Sequence, residues 1–109
     1  MAGKVFLESS YELIIAKILD ENKIFWYRPK PFKWLNTIKN TSHLYYPDFY
    51  LKDFNIYLDP KNNYLIEKDK FKIESVISQN NIKLFILNKN QLTLDYIKEL
   101  ILSTHSDSN

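Results

Sequence analysis

Residues 44–61 read LYYPDFYLKDFNIYLDPK, and the fold turns on this stretch. Two runs rich in aromatic and β-branched residues, Leu44 to Leu51 and Phe54 to Asp59, flank the polar pair Lys52-Asp53, which is the pattern of a hairpin closed by a tight turn. Ten residues separate Asp48 from Asp59. In a hairpin of that length both acids sit near the same end of adjacent strands, with Lys61 beside them. Oxygen ligands so placed suit a hard divalent ion such as Mg²⁺ or Mn²⁺. Phosphodiester hydrolysis uses these parts: carboxylates to hold a metal, the metal to polarise phosphate and acidify water, and a cation to offset developing charge.

Upstream, Ser10 to Asn22 predicts a helix whose apolar stripe is Tyr11, Ile14, Ile15, Ile18 and Leu19. Ser9 and Glu12 form a Ser-x-x-Glu capping box at its start. Lys23 to Arg28 (KIFWYR) reads as a strand, interrupted by Pro29-Lys30-Pro31 and resumed by Phe32 to Leu35, and Asn36 to Ser42 reads as a turn. Downstream, Glu67 to Asn80 predicts one helix with Ile73, Val76 and Ile77 inward and Lys68, Lys70 and Lys72 outward. Ile82 to Leu87 (IKLFIL) is nearly continuous in apolar residues, as in a strand buried on both faces, and Thr93 caps a closing helix to about Leu102. The expected order is αβββαβα. Strand, helix and strand over residues 54–87 make a crossover unit, so the last strand should run parallel in a mixed sheet of an α/β or α+β domain.

A chain of 109 residues, 45% of them apolar, fits one domain over residues 1–102, followed by a polar tail, Ser103 to Asn109, expected to be mobile because nothing in it can anchor it. The absence of cysteine excludes a disulfide framework, a zinc ribbon and a thiol nucleophile, and two histidines, His43 and His105, are too few for a histidine-rich metal centre. No apolar run is long enough to span a membrane, and MAGKVFLE at residues 1–8 is too short and too charged for a signal peptide, so the expectation is an intracellular, cytoplasmic protein. The net charge of +2 says little about partners; its distribution says more. Between Asn22 and Pro47 there is no acidic residue, while Lys23, Arg28, Lys30, Lys33 and Lys39 lie among seven aromatics. That mixture suits phosphates and bases, and it equally describes a strand pair with solvated lysines and core aromatics.

With Pro47-Asp48, Asp59 and Lys61, the chain resembles the PD-(D/E)xK nuclease superfamily, whose pattern is Pro-Asp, a spacer, Asp or Glu, any residue, Lys. Ser10-Tyr11-Glu12 occupies the place of the glutamate that many members carry on the first helix. The layout from Ser9 to Leu87 is most similar to the phage junction-resolving endonuclease I type and to small very-short-patch-repair-like and homing nucleases. The resemblance implies a restriction-endonuclease-like core, a phage or mobile-element setting and a Mg²⁺- or Mn²⁺-dependent activity on DNA, branched DNA included. It makes Asp48, Asp59 and the Pro60 carbonyl metal ligands, Lys61 the support of the attacking water, and Glu12 an assistant through metal or water. Arg28, Lys30, Lys33, Lys39, Lys68, Lys70 and Lys72 would then contact the DNA backbone. A symmetric two-strand cut needs two such sites, which a homodimer supplies.

Three positions depart from the family pattern. Asp59 is one methylene shorter than the more frequent Glu. Pro60 keeps a carbonyl but lacks an amide, which favours an edge or bulged strand. Asn62 replaces a common glycine and is expected to tolerate a left-handed turn there. Each site residue also has a purely structural reading: Asp48 as a strand-start residue, Asp59 as a pre-proline turn, Lys61 as a solvated lysine, Glu12 as a capping residue, and Trp26 and Trp34 as core. His43 reads as a loop residue. The competing functional class is a catalytically inactive member of the fold that serves as a nucleic-acid-binding or assembly subunit. A protein-interaction module without nucleic acid is a third, distinguished by the absence of salt-dependent DNA affinity.

Overall fold

The computed structural model describes residues 10–105. Ser9 of the expected capping box, the segment at residues 1–8 and the end of the polar tail therefore lie outside the described residues. The elements are α1 (Ser10–Glu21), β1 (Phe32–Asn36), β2 (Thr41–Tyr45), β3 (Phe49–Leu51), β4 (Ile56–Pro60), α2 (Asn63–Lys68), α3 (Lys70–Asn80), β5 (Leu84–Leu87), a 3₁₀ turn (Lys89–Gln91) and α4 (Leu94–His105). This is a mixed α/β architecture. β3, β4 and β5 form one sheet in that order, β3 antiparallel and β5 parallel to the central β4, as the crossover pattern requires. β1 and β2 form a separate antiparallel hairpin.

Two cores sandwich the sheet. Phe49, Leu51, Ile56, Leu58 and Leu87 project to one side, where Ile15, Ala16 and Leu19 of α1, Trp26, and Ile97 and Leu100 of α4 bury them. On the other side Leu84 meets Ile73 and Val76 of α3 and Trp34 and Tyr45 of the hairpin. The hairpin is fastened to α3 through polar groups: the Gln79 side-chain amide accepts from Leu35 N at 2.7 Å and donates to Leu35 O at 2.8 Å, which closes the exposed edge of β1.

Several expectations need correction. The aromatic segment Lys23 to Arg28 does not enter a sheet except at an isolated bridge between Tyr27 and Tyr50, although its composition favours a strand. Trp26 is turned into the core by a 2.8 Å bond from its ring nitrogen to Asp20, and Pro29 and Pro31 cannot donate to a ladder. The run Leu44 to Leu51 is split at Tyr46-Pro47-Asp48, so β2 belongs to one sheet and β3 to another, and the turn-like segment before it contributes Thr41 and Ser42 to β2. The predicted Glu67 to Asn80 helix begins earlier and is broken at Asp69, which ends α2 and precedes α3. Phe54 belongs to the β3–β4 turn. The stripe of α1 is Glu12, Ile15, Ala16 and Leu19, while Ile14 is exposed. α4 continues past Leu102 to His105, with the hydroxyls of Ser103 and Thr104 bonded to carbonyls three residues back, so the start of the expected polar tail is helical. β5 is an edge strand, and its Phe85 and Ile86 are only partly covered.

Pro60 lies at the end of the central strand, neither on an edge strand nor at a bulge. Tyr57 N donates to Lys83 O, just before β5, and Lys61 N to Leu87 O of β5, so by alternation the nitrogen of residue 60 points toward the β3 side. β3 pairs with β4 only as far as Phe49 and Leu58, and no ladder bond is lost where Pro60 stands. Asn62 has φ −72° and ψ 163°, extended backbone, and its side chain accepts from Leu65 N at 2.9 Å to cap α2. Among the described residues other than glycine, left-handed conformations fall instead at Lys23, Asn40, Asn55 and Asn81, three of them asparagine, a side chain that tolerates this region better than most.

Candidate functional site

β3 and β4 place the central acids. Phe49 and Leu58 are the last paired residues of the β3–β4 ladder, and Asp48 and Asp59 each stand one position beyond them, Asp59 alternating away from the core-facing Leu58. Glu12 reaches the same cleft from α1 because helical spacing puts it on the face of Ile15, Ala16 and Leu19. Lys61 follows β4 and is anchored by its amide to Leu87 O at 2.9 Å. Together Glu12, Asp48, Asp59, Pro60 and Lys61 line a cleft of about 580 Å³ whose other walls are Ser10, Tyr11, Tyr46, Asn62 and Leu65. All four expected catalytic residues therefore share one cavity.

The cations divide among the acids. Arg28 spans two of them, with Nη1 3.0 Å from Asp48 Oδ1 and Nη2 3.3 Å from Glu12 Oε2. Lys61 Nζ stands 3.8 Å from Asp59 and 3.9 Å from Asp69, and Lys72 Nζ is 3.6 Å from Asp69. Both lysines approach the Tyr45 ring, at 5.8 and 5.9 Å from its centroid. The Tyr45 hydroxyl donates to Asp59 Oδ2.

Burial dominates the electrostatics. It pushes Asp59 up to about 7, with the Glu12 charge adding to the rise and Lys61, Lys72 and Arg28 opposing it. Asp48 rises to about 6, first through burial and then through Glu12, against the pull of Arg28 and Lys61. Two neighbouring carboxyls that titrate near neutrality can take up or release protons under ordinary conditions. Among the described residues, no three His, Cys, Asp or Glu side chains form a group able to hold a metal ion.

Of the expected backbone-contacting residues, Lys30, Lys33, Lys39, Lys68 and Lys70 are exposed. Lys72 is drawn toward the cleft by Asp69 and is not on the outer face of its helix, and Arg28 faces the acids. His43 is on the exposed hairpin, bonded to Thr41 at 2.8 Å, and does not line the cleft. Sequence reasoning missed Tyr45, Asp69 and the inward orientation of Arg28. Only the Lys72-to-Asp69 spacing, three residues apart, is local enough to have been read. The Arg28 to Asp48 and Tyr45 to Asp59 contacts cross 20 and 14 residues and depend on tertiary placement. No helix among the described residues is long and apolar enough to cross a membrane. Comparison of the chain with protein-family models, with curated proteins and with solved structures returned no match.

Proposed function

We propose that this protein is a metal-dependent DNA endonuclease that hydrolyses phosphodiester bonds on a restriction-endonuclease-like core. The observation that carries the reading is the cleft at the ends of β3 and β4, which Asp48, Asp59, Lys61 and Glu12 line together, with Lys61 Nζ 3.8 Å from Asp59. Mg²⁺ is commonly held by one or two carboxylates, with water and substrate phosphate completing its shell, and Asp48, Asp59 and the Pro60 carbonyl are the groups of this cleft that would hold it. When bound there, Mg²⁺ or Mn²⁺ would polarise the phosphate and lower the pKa of a water. The protein's own groups do the rest. Lys61 sets a positive charge where the phosphorane develops negative charge, and Glu12 accepts or orients the proton of the attacking water. The exposed Lys30, Lys33 and Lys39 of the hairpin side and Lys68 and Lys70 of the α2–α3 side supply sequence-independent phosphate contacts. Branched DNA is among the proposed substrates, and two copies of the chain would be needed for a two-strand cut.

A second reading has one observation in its favour: Arg28 already neutralises Glu12 and Asp48, as it would in a catalytically inactive nucleic-acid-binding or assembly subunit. A plasmid-nicking assay decides between them. The endonuclease nicks supercoiled DNA with Mg²⁺ or Mn²⁺, stops with EDTA, and loses cleavage but keeps DNA binding in Asp48→Asn. DNA binding without nicking under any metal would establish the second reading.

A further inference from the structure

Arg28 occupies a position that a metal ion would contest. The acids of the cleft and its rim are shared out: Asp59 and Asp69 are served by Lys61 and Lys72, whereas Glu12 and Asp48 are joined by the two arms of one guanidinium. The two acids come from different elements, α1 and the segment before β3, so Arg28 holds together parts of the site that would otherwise repel each other. A planar fork reaches two carboxylates at once, and arginine cannot lose its charge, so only displacement can free the Asp48 oxygen it holds. The Arg28 side chain is one-third exposed, against 10% for Glu12 and 14% for Asp48, which gives it an open side toward which to withdraw.

Resting on the two-carboxylate cation site proposed above, we infer that Arg28 is the resident counter-ion of the Glu12–Asp48 pair and that a divalent cation competes with it for Asp48. The fork consumes acceptor positions on Asp48 that a metal needs, and its charge repels any cation placed between Asp48 and Asp59. Arg28 thus lowers the intrinsic metal affinity of the site while keeping the acids assembled in its absence.

The test is Mn²⁺ binding without nucleic acid, followed by the electron paramagnetic resonance of the free ion, for the unaltered protein, Arg28→Met and Arg28→Lys. Arg28→Met should bind Mn²⁺ about tenfold more tightly or better, with Arg28→Lys closer to the unaltered protein. Unchanged or weaker binding in Arg28→Met overturns the inference. Because removal of the charge leaves Glu12 and Asp48 facing each other and can compromise folding, the unaltered protein supplies a second readout. The Arg28 guanidinium resonance should shift and exchange faster with solvent as Mg²⁺ is added, and a resonance unmoved at saturating Mg²⁺ also overturns it. Equal Mn²⁺ affinities defeat this inference alone. Failure of all three proteins to bind Mn²⁺ defeats the cation site itself, and the inference with it.

Discussion

Tyr45, the last residue of β2, donates its hydroxyl to Asp59 of β4, so a buried bond between the small hairpin and the central strand ends on a candidate metal ligand. Asp59 is 3% exposed, and a donor at that depth favours its ionised form. Tyr45→Phe should therefore raise the Asp59 pKa further. It should also lower stability by about 1.5 to 3 kcal/mol at pH 8, where the carboxylate is charged, and by less at pH 5. Urea unfolding at the two pH values checks this, and an equal loss at both would show that the hydroxyl does not discriminate between the charge states.

The raised acids make stability fall with pH in metal-free protein. A carboxyl whose folded pKa exceeds its unfolded value binds more protons when folded, so its contribution is complete below about pH 4 and is lost as the pH rises through the folded value. For Asp59, moved from 3.8 to about 7, and Asp48, moved to about 6, the window runs from pH 4 to 7. Unfolding free energies from urea titrations in EDTA should decline across that window by an amount on the order of a few kcal/mol, with the midpoints falling in step. Asp59→Asn should flatten most of the decline and stabilise the protein at pH 8. A midpoint that rises from pH 5 to pH 8 would mean that the ionised acids are better compensated than their burial implies.

Lys61 is positioned from two sides, by Asp59 and by Asp69 at the α2–α3 break. Lys61→Ala should reduce turnover by about 100-fold to 1000-fold, the usual loss for one group acting on developing charge. Asp69→Asn should cost about tenfold to 100-fold, because it removes the orientation and leaves the cation. A turnover number measured under saturating DNA separates the two; no effect of Lys61→Ala would make Lys61 a bystander.

The β3–β4 hairpin, the parallel return of the last strand and the nearness of Asp48, Asp59 and Lys61 were legible in the sequence because they rest on period two along strands, a short interval between the acids and the fixed hand of a strand–helix–strand crossover, whereas Leu44 and Tyr45 belong to the other sheet and Glu12 reaches the acids from α1 across the fold. What was not legible arises where tertiary contact outweighs local preference. KIFWYR has the composition of a strand, but the bond from Trp26 to Asp20 and two prolines keep most of it out of the ladder. The same limit explains Arg28: five cations precede Pro47 in a segment without acids, and nothing in their spacing tells which one turns inward. Pro60 was misread for a different reason. Its missing amide matters only on the side where a neighbour is paired, and β3 ends before reaching it.

Glu12 has two readings that alanine would confuse, because alanine removes both a capping group and a carboxylate at the site. Glutamine separates them. It caps a helix nearly as well as glutamate and can still accept from Arg28, so Glu12→Gln should leave the melting temperature within a few degrees of the unaltered protein. The charge, however, is gone. Glu12 is 8% exposed on the inward face of α1 and its charge is felt by both Asp48 and Asp59, a position in which capping alone does not account for it. Cleavage should consequently fall by about 100-fold or more, the scale of a lost general base or water-orienting group, with DNA affinity preserved. The same variant should titrate Asp48 and Asp59 at lower pH, since the Glu12 charge is among the causes that raise both. Unaltered nicking rates together with unaltered carboxyl titrations would reduce Glu12 to a structural residue of α1.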